Sequence, residues 1–193
     1  MVEHSSHLVA VLMSKIIFVI LFLLLGSKLL IADDKSPPKV TTQQYDNWTY
    51  QCVESGKDKN CEVSQTIRIQ NTNINFSVTY TKFLDDKKNK IQLITIISPL
   101  GIDLNKQLSL RFDNEEEVNL PWSSCEQIGC LVFLSKGSGN SEMDNIYDKV
   151  YKKFISGNLL EIGVLGYATK QPLVIQSNLT GFKKATDKLN SEN

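Results

Sequence analysis

The chain has 193 residues, 41% hydrophobic and 22% charged, with 21 basic side chains against 21 acidic ones. That balance excludes a protein that grips nucleic acid or an anionic membrane surface through a cationic face, since both need an excess of Lys and Arg. Ten Gly and five Pro exclude collagen-like and low-complexity chains, which leaves one ordinary globular domain with apolar residues enough for a core.

At the N-terminus, residues 16–25 are uninterruptedly apolar, preceded by Lys15 and followed by Gly26-Ser27 and a small residue at Ala32. This is the anatomy of a signal peptide over residues 1–32. Translation from Met13 gives the short basic opening Met13-Ser14-Lys15 and leaves residues 1–12 outside the protein. Ten clean apolar residues are too few to span a bilayer, so membrane attachment is expected only through this segment, if it stays uncleaved. The expected location is the periplasm, the outer membrane or the medium.

Cleavage removes Lys15, Lys28 and Glu3, leaving 19 basic and 20 acidic residues, and it removes His4 and His7, the only histidines. The mature chain then has no Ser-His-Asp or Cys-His nucleophile and no histidine-ligated zinc. No catalytic residue, cofactor or resident metal is expected. Outside the cytoplasm the even set Cys52, Cys61, Cys125 and Cys130 implies two disulfides. Three connectivities exist; the local one, Cys52 with Cys61 and Cys125 with Cys130, clips a polar or turn-rich segment in each case. A four-cysteine zinc site is the rival, with spacings unlike a two-residue knuckle.

Residues 33–44, with Pro37-Pro38, suit a flexible linker, and the folded domain is expected over 45–193. Strand patterns follow at 48–53 and 63–70, then at 74–80, where Ile74, Phe76, Val78 and Tyr80 alternate with polar residues. Residues 91–97 are apolar on both faces, as in a doubly buried central strand. Alternation resumes at Leu108, Leu110 and Phe112 and at Val118, Leu120 and Trp122, and residues 131–134 are wholly apolar. The period then changes to about 3.6: Met143, Ile146, Tyr147, Val150, Tyr151 and Phe154 mark an amphipathic helix, capped by Ser141 and Asp144 and stopped by Gly157. Strands return at 159–165 and 173–176, and a short helix closes the chain at about 181–189. The sum is a mainly antiparallel β-sandwich with one or two peripheral helices.

Four fragments in order carry a resemblance: Trp48 with Cys52 and Cys61-x3-Gln65; Pro99-Leu100-Gly101-Ile102-x-Leu104; Cys125-x3-Gly129-Cys130; and Leu179-x-Gly181-Phe182-x2-Ala185-x3-Leu189. In this order the chain resembles the invasion-associated locus B (IalB) family of exported bacterial proteins. The resemblance implies an immunoglobulin-like sandwich and, in erythrocyte-associated pathogens, a link to host-cell entry. It brings no catalytic residues. The charged turn Asp85-Asp86-Lys87-Lys88 has no counterpart in that pattern.

Two further chemistries need weighing. A carboxylate-pair hydrolase requires two of Asp85, Asp86, Asp103, Asp113, Glu115, Glu116, Glu117, Glu126 and Glu161 to face each other, although most lie in turns. A calcium site at residues 113–117 lacks the ligand order of a helix-loop-helix site. Trp48, Trp122, Tyr147 and Tyr151 are either core or an exposed aromatic anchor, and helical spacing favours core. The leading expectation is a non-enzymatic exported protein that binds an unidentified protein or surface component of envelope or host through edge strands or end loops, without nucleic acid. The alternatives are a periplasmic accessory or chaperone-like protein and a carboxylate-dependent envelope hydrolase.

Overall fold

Period-two alternation, with the apolar residue inward at every second position, sets most of the architecture in a computed structural model that describes residues 37–70 and 72–192. The expected signal segment lies outside the described residues. In chain order the elements are β1 (Lys39–Tyr45), β2 (Trp48–Ser55), β3 (Asp58–Arg68), β4 (Asn75–Leu84), β5 (Lys90–Ser98), β6 (Leu108–Phe112), β7 (Val118–Leu120), β8 (Ser124–Glu126), β9 (Gly129–Lys136), α1 (Ser141–Ser156), β10 (Leu159–Leu165), β11 (Pro172–Asn178) and α2 (Phe182–Ser191). A seven-stranded sheet, β1-β2-β3-β4-β5-β9-β8, faces a four-stranded one, β11-β10-β6-β7, and every pairing is antiparallel. The mainly β, antiparallel sandwich expected from the sequence is the fold observed.

The four-stranded sheet is narrower than its partner, and the helices cover the remainder. Phe154 of α1 and Phe182 of α2 are buried, with ring centroids 5.1 Å apart. Phe182 meets Trp48 of β2 edge-on at 4.7 Å, and Phe154 meets Phe112 of β6 at 5.3 Å. The helices are therefore part of the core and not only its periphery. One polar knot ties α1 to the large sheet: the Gln92 side-chain oxygen accepts from both the Tyr80 and Tyr147 hydroxyls at 3.1 Å. Burial raises the pKa of both phenols.

Several expectations need correction. Residues 39–44, expected in a flexible linker, instead form β1 together with Tyr45, paired to β2 from Lys39 opposite Glu54 to Tyr45 opposite Trp48. β3 starts at Asp58 and not at 63, so Cys61 lies within a strand, while the segment its disulfide clips holds the Gly56-Lys57 turn. β5 is more deeply buried on one face than the other: Ile94, Ile96 and Ser98 are inward, while on the outer face Ile91 is buried but Leu93, Thr95 and Ile97 remain half-buried. α1 is capped by Asn140, whose side-chain oxygen accepts from the Glu142 and Met143 amides at 3.1 Å. Asp144 instead accepts from the Gly137 amide at 3.0 Å. Gly157 does stop α1, but in extended backbone.

Candidate binding surface

Both disulfides join facing residues of adjacent strands. The structure pairs Cys52 with Cys61 across β2 and β3, Cα atoms 4.1 Å apart, and Cys125 with Cys130 across β8 and β9, 4.0 Å apart. Such close approach marks positions where facing residues do not exchange main-chain hydrogen bonds. β4 and β5 separate the two pairs, which places them at least three strand spacings, roughly 14 Å, apart. One zinc ion cannot gather all four cysteines, and the zinc rival is withdrawn.

The second staple stands beside a set of loops that close one end of the sandwich: residues 69–74, 99–107, 121–123, 127–128 and 166–171. In the 99–107 loop, Ile102 is buried and bridges to Gly166, and Asp103 donates its amide to the Leu165 carbonyl at 2.7 Å. The Asp103 carboxylate is nearly buried. It accepts from the Lys170 ammonium at 2.8 Å and from the Asn105 amide at 3.1 Å, and these partners, Lys170 foremost, hold its pKa below the usual carboxylate range. The Tyr167 amide donates to the Gly101 carbonyl at 2.8 Å, and the Trp122 indole donates to the Lys106 carbonyl at 2.8 Å. With Ile102 and Asp103 turned inward, Leu100 and Leu104 face solvent, 58% and 54% exposed.

The β8–β9 hairpin adds Ile128 at its tip, 69% exposed, only two residues from Cys130. Ile74 and Tyr167 complete the set, so five of the ten exposed large hydrophobic residues of the described chain stand at this one end. Leu104 shares a shallow cleft with Trp122 and Cys125, and Ile74 and Leu100 share another with Pro172 and Leu173. These side chains ride on loops already fixed by hydrogen bonds, a bridge and a disulfide. Docking against them therefore costs little further ordering.

The carboxylates singled out in the sequence are dispersed. Asp85 accepts from the Lys87 and Asn89 amides within its own turn. Asp113 accepts from the Asn158 and Leu159 amides and ties the β6–β7 turn to β10. Glu161 pairs with Arg111 and Gln176, and Glu115 with Lys153. Asp86, Glu116, Glu117 and Glu126 are exposed. Among the described residues each principal cleft is lined by at most one carboxylate, and no cluster suited to a metal ion is found at residues 113–117 or elsewhere. Trp48 and Tyr147 are fully buried, whereas Trp122 is half-exposed at the loop end. Sequence reasoning passed over Ile128 and Tyr167. The signal for Ile128 was available: a β-branched apolar residue in a four-residue interval between two cysteines, where turn chemistry favours polar residues.

This fold and its stapled hairpins define a disulfide-bonded antiparallel β-sandwich, of a kind that fits an oxidising compartment outside the cytoplasm. Among the described residues no helix is long and apolar enough to cross a membrane. The model of the invasion associated locus B (IalB) protein family matches residues 48–190, and the chain belongs to that family. Two invasion protein B homologs of Brucella abortus, from strain 2308 and from biovar 1 strain 9-941, are each 24% identical over 147 residues, spanning 76% of this chain and 78% of the relative. The crystal structure of invasion associated protein b from Bartonella henselae matches with a TM-score of 0.59 at 17% identity, over 78% of this chain and 96% of that one. At that identity the likeness is one of fold.

Proposed function

We propose that this IalB-family chain is a non-enzymatic exported protein, located in the periplasm, at the outer membrane or in the medium, which binds a protein or surface component through its apolar loop end. The observation that carries the reading is the placement of Leu100, Leu104, Ile128 and Tyr167 on loops fixed in place at one end of the sandwich. Exposed apolar side chains gathered at one end and held rigidly in this way are characteristic of a docking site. The dispersal of the carboxylates weighs against the hydrolase reading. The relatives named invasion proteins make a host-cell or surface partner the first to test.

The test places a photo-crosslinking residue at Leu104 or Tyr167 in the full chain expressed in its own cells, with Lys57 and Lys88 at the opposite end as controls. Discrete crosslinked species are expected from the loop end only, and Ile128→Ser should reduce them several-fold without changing export. Crosslinking that is equal at both ends, or recovery of the chain in the cytoplasm with free thiols, overturns the reading. Recovery strictly from the periplasm, with crosslinks to many unrelated envelope proteins, replaces it with an accessory or chaperone-like role.

A further inference from the structure

β1 is the long edge of the seven-stranded sheet and, among the described residues, has a strand neighbour on one side only. Which of its main-chain groups face outward follows from the hairpins. Tyr45 and Trp48 flank a two-residue turn and so exchange hydrogen bonds, and alternation makes Gln43–Tyr50, Thr41–Cys52 and Lys39–Glu54 bonded pairs as well. The close Cα spacing of Cys52 and Cys61 gives the same answer independently, since it marks a pair whose main-chain groups turn away from each other, those of Cys52 toward β1. The N–H and C=O groups of Val40, Thr42 and Gln44 therefore point off the sheet, and all three residues are exposed.

The other sheet edges are short or carry an edge proline. β7 and β8 have three residues each, and β11 opens on Pro172. β1 has seven residues with no proline, no bulge and no charge after Lys39, so it carries none of the devices that keep an exposed edge from pairing. Its ends carry opposite charges, Lys39 at one end, where the exposed ammonium also meets Glu54 of β2 at 3.4 Å, and Asp46 in the turn at the other.

We propose that β1 pairs antiparallel with β1 of a second copy of this chain about a twofold axis through Thr42, joining two sheets into one. In this register Thr42 faces Thr42 of the other copy and Val40 faces Gln44. All three outward residues of each copy are then used, giving six main-chain hydrogen bonds by strand-pairing geometry. Sliding the strands by two residues brings Pro38, which has no N–H, or the turn residue Asp46 into the ladder. Each Lys39 comes to lie beside Asp46 of the other copy, so the charges that end the strand favour self-pairing over a foreign strand. The twofold also closes the edge, since neither β1 then has a free side. The family match begins at Trp48, after β1. The β1 edge lies apart from the apolar loops, and either proposal can fail without the other.

The test uses single cysteines in the full chain. Its four native cysteines are paired, so an added thiol is the one free to react. Under mild oxidation Thr42→Cys should give a disulfide-linked dimer at a level at least tenfold above Val40→Cys, whose two thiols lie on opposite sides of the axis. Mixing Val40→Cys with Gln44→Cys should restore linkage. Equal linkage of Thr42→Cys and Val40→Cys, as in random collision, or no linkage of either, overturns the proposal. A second measurement guards against a folding artefact. Val40→Pro removes an N–H that no strand of the same copy uses, and it should abolish the dimer in sedimentation while the tryptophan emission of buried Trp48 stays unchanged. A dimer that survives Val40→Pro also overturns it.

Discussion

At the scale of single residues, two glycines with similar backbone freedom have different consequences. Gly56 in the β2–β3 turn has φ +62°, and a methyl group there would meet nothing within 4 Å. Gly129 opens β9 at φ +140°, and a methyl group there would run into the main-chain carbonyl of Ser98 on β5. Ser98 is itself buried, with its hydroxyl on the Pro99 carbonyl, so that strand cannot give way without disturbing the 99–107 loop. Gly56→Ala should cost about 1 kcal/mol, the penalty of left-handed backbone alone. Gly129→Ala should cost more than about 2 kcal/mol, strain and collision together. Urea unfolding of the two variants measures the difference, and equal costs would show that β9 and β5 are not packed as closely as described.

Elements differ in how plainly the sequence announced them. α1 was legible because one face of a 3.6-period pattern delivers Tyr147, Val150 and Phe154 to the core. β2, β4 and β6 were legible because alternate residues of each, such as Trp48, Tyr50 and Cys52 or Phe76, Val78 and Tyr80, are buried on one face. β1 was not: Lys-Val-Thr-Thr-Gln-Gln-Tyr has no apolar alternation, because an edge strand whose faces both reach solvent needs none. β8, only three residues long, is held by its disulfide more than by burial. The cysteines themselves were legible, but the exposed apolar loop end was not, since Leu100 and Leu104 have the spacing of buried residues and only the inward turn of Ile102 and Asp103 sends them out. The short β8–β9 hairpin depends on its staple. Cys125→Ser with Cys130→Ser opens a six-residue loop and should cost roughly 2 kcal/mol in the chain-entropy account, or about 4–8 °C in melting temperature for a domain of this size. If the hairpin presents Ile128, the same change should also weaken crosslinking at the loop end. Full stability in the double variant would mean that β8 is held by its main-chain pairing alone.

Over the whole molecule, charge ties the C-terminus to the large sheet. Glu192, next to the end of α2, contacts Lys188 in the same helix and Lys59 on β3, and Lys82 on β4 donates to Asn190 at 2.9 Å. Lys188 and then Lys59 lower the Glu192 pKa to about 2. Asp103, beside Lys170, Asp85, within its turn, and Glu161, beside Gln176 and Arg111, are also held below their ordinary values. In the unfolded chain these carboxyls titrate near about 4. Between about pH 4.5 and 2 the unfolded state therefore binds more protons than the native one, so the stability these groups provide is complete above that window and lost as pH falls through it. The alkaline side runs the other way. Burial raises Tyr80 and Tyr147, the unfolded phenols ionise first near about pH 10, and stability falls as pH rises beyond that point. Urea midpoints from pH 7 down to 2 should decline steadily below about 4.5, and Glu192→Gln should flatten the acid limb; because Glu192 also raises Lys188, Lys59 and Tyr50, the alkaline limb should shift in the same variant. An acid limb of unaltered slope in that variant would mean that Glu192 does not anchor α2 to β3. The helix would then be held by the core packing of Phe182, Ala185 and Leu189 and by the Lys82–Asn190 bond.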